Sequence, residues 1–137
     1  MQRVTESFDR QGFMKSIGAV LETVQAGVVT ISCRAGQHLT QQHGLIHGGV
    51  IASLADVACG YAALSAMPEG KEVLTVEFKV NFLKPANTER VIAVAKVIQS
   101  GRTLTVCEAT VFDATQTVAI ARMTATMMAV DSERKSG

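Results

Sequence analysis

Between Arg34 and Glu69 the chain carries one formal charge, the carboxylate of Asp56. The rest of that stretch is apolar, small or neutral polar, apart from His38, His43 and His47. An acid with no cation near it in so apolar a segment must be desolvated, hydrogen-bonded or put to use. Desolvation raises a carboxyl pKa and makes the group a stronger base once ionised. Nine residues before Asp56 stands His47-Gly48-Gly49, a turn able to open a helix. A helix N-terminus offers unpaired N–H groups and the positive end of the dipole. Glycines there remove side chains, so a carbonyl oxygen can approach the backbone closely. A base and an oxyanion donor are two groups that carbonyl chemistry requires.

The elements that must hold these groups follow from periodicity. Thr5 to Lys15 reads as a short amphipathic helix, with Val4, Phe8 and Gly12 spaced by four. Two short strands, Ala19–Gln25 and Val28–Arg34, are joined at Ala26-Gly27, a tight hairpin signal. Ala35 to Ile46 is an uncharged loop. From Gly48 to about Ala66 the pattern is helical, with Val50, Ile51, Leu54, Val57, Ala58, Tyr61 and Ala62 on one face. The opposite face carries Gly49, Ala52, Ser53, Asp56, Cys59, Gly60 and Ala63, where a solvated helix would show Lys, Glu or Arg. This helix is therefore expected to be buried on all sides.

Period-2 alternation then predicts strands. Leu74, Val76, Phe78, Val80 and Phe82 should point one way, and Thr75, Glu77, Lys79 and Asn81 the other, until Pro85-Ala86-Asn87 ends the run. Val91–Gln99, Thr103–Phe112 and Thr117–Val130 follow, with short connections that favour an antiparallel meander. Asp131–Gly137 reads as a polar tail. The expected architecture is an α+β domain spanning residues 1–137, with a long apolar helix wrapped by a curved, mainly antiparallel sheet of about six strands.

Composition narrows the function. A chain of 137 residues with 47 % hydrophobic and only 18 % charged residues is lean in surface charge, which points to a surface covered by another subunit. A net charge of +1 without a basic block argues against nucleic acid as partner. Cys33, Cys59 and Cys107 are odd in number and have no Cys-x-x-Cys spacing, so they read as buried thiols of a reducing compartment. Met1 to Ser16 has scattered charges and no apolar core of a secretory signal, and no run of 18 apolar residues spans a membrane. A soluble cytoplasmic protein is expected. His43 and His47 are four apart, but Gly44 lies between them and no acid or thiolate is adjacent, so no metal site is expected.

Gln41-x-x-Gly44-x-x-His47-Gly48-Gly49, then Asp56, then Thr75-Val-Glu-Phe-Lys-Val-Asn-Phe-Leu-Lys-Pro85-Ala86 resembles the PaaI-type hotdog-fold acyl-CoA thioesterases over most of the chain. The resemblance implies a hotdog fold, dimers pairing into homotetramers, and hydrolysis of an acyl-CoA thioester without a metal or redox cofactor. It implies that Asp56 is general base or nucleophile and that the Gly48 N–H, beside His47 and Gly49, is the oxyanion donor. It gives Gln41, or its neighbour Gln42, the task of holding the carbonyl, and Thr75 that of orienting the attacking water. Lys84, Arg90 and Arg102 stand where the family contacts the CoA nucleotide.

Helix geometry adds a constraint independent of that likeness. Gly48 and Asp56 are eight residues apart on one helix, hence about 12 Å apart along its axis. One carbonyl needs both within roughly 3–4 Å of the reacting atoms. If both act, they come from two subunits meeting at the small-residue face. Asp56 as a structural helix cap is the competing reading, though a capping box would want Glu or Gln at Cys59. A non-catalytic acyl-CoA binding or sensing protein is the rival function, and a hotdog hydratase the weaker one.

Overall fold

A computed structural model describes residues 1–132. The chain runs α1 (Gln2–Asp9), α2 (Gly12–Ile17), β1 (Ala19–Gln25), β2 (Val28–Arg34), a 3-10 turn (Gln37–Leu39), α3 (Gly48–Ser65), β3 (Lys71–Phe82), β4 (Arg90–Ser100), β5 (Leu104–Phe112) and β6 (Ala119–Asp131). The six strands form one antiparallel sheet in the order β1-β2-β4-β5-β6-β3, and α3 lies against its inner face. The helix wrapped by six antiparallel strands is thus the architecture expected from sequence.

Small residues let helix and sheet come close. Ala93, Ala95, Ala109, Ala121 and Ala125 lie across the inner face of β4, β5 and β6, and Leu54, Ala55, Ala58 and Ala62 meet them from α3, all buried. Larger side chains such as Ile31, Met123 and Met127 fill the remaining space. By length and hydropathy α3 could cross a bilayer, but 67 % of it is buried within the fold, as befits a core helix. The three cysteines are free and buried.

Five expectations need correction. The N-terminal helix is two helices, broken at Arg10–Gln11, because Gln11 adopts an extended backbone. Val4 and Phe8 are buried as their spacing requires, but Gly12 is exposed and a second stripe, Met14 and Ile17, takes over. The four C-terminal strands are not a meander, since β3 pairs with β6 rather than β4. After β3 the chain hooks onto β6, where Leu83 and Lys84 donate their N–H groups to Ile120 O. It then passes the start of α3, where Ile46 N–H donates to Ala86 O. That route delivers β4 to the side of β2.

Strand β3 also breaks its own alternation. Thr75 pairs with Met127 and Glu77 with Thr126, so Val76 is an inserted bulge residue. Downstream of it Phe78, Val80 and Phe82 share the inner face with Thr75, while Leu74 turns outward. The helix is not buried on all sides within this chain. Its second half is, but Gly49 is exposed and Ala52, Ser53 and Asp56 are half-buried. Finally, the polar tail begins later than expected. Asp131 closes β6 against Lys71 (Nζ–Oδ1 2.7 Å) and the Ser132 N–H donates to Gly70 O. Residues 133–137 lie outside the described residues.

Candidate active site

Asp56 projects from the open half of α3 toward β3. Its Oδ1 accepts a hydrogen bond from Thr75 Oγ1 at 2.7 Å. The Val76 bulge makes this contact, because it keeps Thr75 on the inner face together with Phe78. Burial pushes the Asp56 carboxyl above the ordinary carboxylate range, and the Thr75 hydrogen bond partly opposes that shift. The pair lines a recess of about 240 Å³ that runs past Gly60 and Val73 to Tyr61, Ser7 and Gln11.

A second recess opens at the start of α3. His47 is the N-cap, and its Nδ1 accepts the Gly49 N–H at 2.8 Å. One donor of the helix terminus is thereby used, and among the described residues the Gly48 N–H has no partner. A Cβ on Gly48 would sit 3.2 Å from the Phe82 ring, so that ring, itself more than half exposed, would have to give by a few tenths of an ångström. Gln41 lines the same recess. Its side-chain carbonyl accepts the N–H groups of His43 (2.6 Å) and Leu45 (3.2 Å). With the oxygen so occupied, the Gln41 NH₂ is left as the free end of the amide. Gln42 is exposed and does not line this recess, and Lys84 does.

The residues singled out from sequence thus separate into two groups. Asp56 and Thr75 meet in one recess; Gly48, Gln41 and Lys84 line the other, with His47 and Gly49 flanking Gly48 in the chain but outside that lining; the two linings share no residue. Arg90 begins β4 and faces Glu22, its Nη1 4.0 Å from Oε1, outside both recesses. Arg102 sits beside Met67, Pro68 and Lys71 near the far end of α3. Sequence reasoning missed Ser7, Gln11 and Tyr61, whose meeting joins residues at least 50 positions apart. It also missed Phe82 as the lid over Gly48, although the strand pattern had placed Phe82 in β3.

The thiols do not compete as nucleophiles. Burial pushes Cys107 up to about 11 and Cys59 higher still. Among the described residues no three His, Cys, Asp or Glu side chains converge as metal ligands would.

The sequence pattern of the thioesterase superfamily matches residues 43–120, a span that takes in both His47-Gly48-Gly49 and Asp56. The match covers more than half of the chain, and the chain belongs to that superfamily. Its fold is shared with a thioesterase family protein from Silicibacter pomeroyi at a TM-score of 0.91 and 49 % identity, covering 96 % of this chain and 98 % of that one. It is shared also with the Escherichia coli PaaI protein of the phenylacetic acid degradation operon. There the TM-score is 0.86 at 21 % identity, over 94 % and 91 % of the two chains. In sequence the chain is 28 % identical to the 1,4-dihydroxy-2-naphthoyl-CoA hydrolase of Listeria monocytogenes over 90 % of this chain and 99 % of that protein. The protein is a thioester hydrolase with a PaaI-type hotdog fold.

Proposed function

We propose that the protein hydrolyses acyl-CoA thioesters at sites built by two subunits, each site taking Asp56 from one and the Gly48 N–H from the other. The carrying observation is that acid and donor occupy separate recesses on one rigid helix. Strand β3 supports the assembly. It is a 12-residue edge strand with Leu74, Val76, Phe78 and Phe82 each more than 40 % exposed, an edge of the kind that invites pairing. Antiparallel pairing of two β3 strands about a two-fold axis sets two α3 helices side by side in opposite directions. The small residues Gly49, Ala52 and Ser53 on their open faces allow a close approach.

In such a site the thioester oxygen sits at the Gly48 N–H, with the Gln41 NH₂ beside it. Asp56 takes a proton from water held by Thr75, and the water oxygen bonds to the carbonyl carbon. The tetrahedral intermediate carries its negative charge on the former carbonyl oxygen, which accepts from the backbone donor, then collapses and expels CoA thiolate, which takes up the proton held by Asp56. Direct attack by Asp56 gives a mixed anhydride that water then cleaves, and both routes use the same groups. Neither calls for a metal or redox cofactor. Lys84, at the mouth of the donor recess, is the cation placed to meet CoA phosphates, with Arg90 and Arg102 as further candidates. Dimers pairing into tetramers, in a reducing cytoplasm that suits three free thiols, complete this reading.

The test is free-thiol release from a range of acyl-CoA esters, with particle size measured alongside. Turnover by a dimer or larger assembly is expected. No release from any ester contradicts the reaction, and an active monomer in dilute solution contradicts the shared site.

A further inference from the structure

A strand that joins its own copy across a two-fold axis has few registers open to it, and β3 carries the marks of one. In an antiparallel pair, residues directly opposite each other point to the same face of the sheet. The pairing with β6 settles the faces of β3. Phe78, Val80 and Phe82 lie opposite the buried Ala125, Met123 and Ala121 on the inner face. Glu77, Lys79 and Asn81 lie opposite Thr126, Thr124 and Arg122 on the outer one. An axis falling between two neighbours in this run would set an inner residue against an outer one, so it must pass through a residue. An axis through the bulged Val76 fails in the same way, because Glu77 would face the partner's Thr75.

Charge chooses among the rest. An axis through Glu77 sets that carboxylate against its own copy, and an axis through Lys79 does the same to the ammonium, both destabilising. An axis through Val80 shortens the overlap and leaves Glu77 facing the partner's Leu83, past the end of the strand. An axis through Phe78 puts Glu77 opposite the partner's Lys79 and, by symmetry, Lys79 opposite the partner's Glu77. Both side chains are exposed, and among the described residues neither forms a salt bridge within its own chain. Thr126 Oγ1 donates to Glu77 Oε1 at 2.6 Å and holds the carboxylate on the outer face. On the inner face Phe78, 42 % exposed, meets the partner's Phe78 at the axis.

The two recesses agree with this choice. Counting back from Phe78 with Val76 as the extra residue, Thr75 stands opposite the partner's Val80 and Val73 opposite the partner's Phe82. Val73 lines the Asp56 recess, and Phe82 lines the Gly48 recess. The register therefore brings the two halves of a site side by side, and does so twice per dimer. The other edge of the sheet is blunted by comparison. Strand β1 has seven residues and a bulge at Glu22, and α1 runs alongside it.

We infer that two chains join β3 to β3 in this one register, with Phe78 on the two-fold axis and the Glu77–Lys79 pair formed twice across it. This rests on the shared-site reading and fixes which residues of the two chains meet. Single cysteines locate the axis, because only a residue on it faces its own copy at the spacing a disulfide needs. The three natural thiols are buried and leave the background quiet. With oxidised glutathione as electron acceptor, Phe78→Cys chains should link into covalent dimers about tenfold faster than Glu77→Cys, Lys79→Cys or Val80→Cys chains, read on a non-reducing gel. Because Phe78→Cys removes a packed ring, a mixture of Glu77→Cys and Lys79→Cys chains gives a second reading with Phe78 in place. That mixture should link faster than either parent alone. At low salt Glu77→Lys and Lys79→Glu should each raise the dimer dissociation constant by about tenfold, and the two changes together should return it toward the natural value. Fastest linking at Glu77, Lys79 or Val80, linking at no position in a dimeric protein, or charge reversals that simply add, overturns the register and leaves the shared site standing. A protein that is active as a monomer overturns both.

Discussion

The two recesses along α3 are built on opposite principles. At the donor end the helix terminus does the work through its backbone. Gly48 contributes no side chain, His47 uses its imidazole to cap Gly49, and Gln41 has its carbonyl held by two main-chain N–H groups. At the acid end everything rests on side chains. The Asp56 carboxyl is lifted by burial and steadied by one hydroxyl, which a strand bulge turns inward. In the proposed mechanism each end has what the other lacks, an oxyanion donor without a base and a base without a donor. One stiff helix keeps them apart, which is why the proposed site asks for two chains.

If that division is right, disabling each end should remove activity by a different route. Asp56→Asn keeps an oxygen to accept from Thr75 and keeps the shape, yet has no base. Turnover by thiol release should fall by about 10³-fold or more. Gly48→Pro deletes one N–H at the first helical position, where proline is well tolerated, and His47 already has the extended backbone (φ −60, ψ 136) that a following proline requires. That variant should fold and lose about 10²- to 10³-fold in kcat. Full activity in either would break the comparison at that end.

Smaller effects sharpen the acid end. The Thr75 hydrogen bond lowers the Asp56 pKa against the upward push of burial. Thr75→Val therefore raises that pKa further, and the acidic limb of the kcat/KM–pH profile should move to higher pH, while Thr75→Ser leaves it in place. A limb that moves down, or stays, contradicts the assignment. The smallest effect is on stability. Because the folded Asp56 carboxyl is a weaker acid than the unfolded one, the folded state binds the extra proton between the two pKa values. Stability is thus lost as pH rises through that window. Asp56→Asn escapes this loss, so its Tm at neutral pH should equal or exceed that of the natural protein.

What could be read from the residues divides along the same line. The hairpin at Ala26-Gly27, the long helix from Gly48 and the isolation of Asp56 from its own Gly48 are local facts. They follow from turn chemistry, from the 3.6-residue period and from helical rise. The bulge at Val76 is not local. Strict alternation put Thr75 on the face opposite Phe78, and only the pairing with β6 shows the inserted residue. The crossover of β3 to the far edge was equally hidden, because connection length does not say which strand will be waiting. The meeting of Ser7 and Gln11 with Tyr61 depends on how α1 docks, for which Arg3 gave no sequence signal.

The central claim is that Asp56 and Gly48 act across a subunit boundary, and mixing two inactive variants tests it most directly. Asp56→Asn and Gly48→Pro chains, co-expressed or refolded together, give mixed dimers in which one site has lost both groups and the other has kept both. Random pairing then restores about a quarter of natural activity, since half the dimers are mixed and each has one intact site. A mixture no more active than the sum of its two parents would contradict the shared site and return both groups to a single chain.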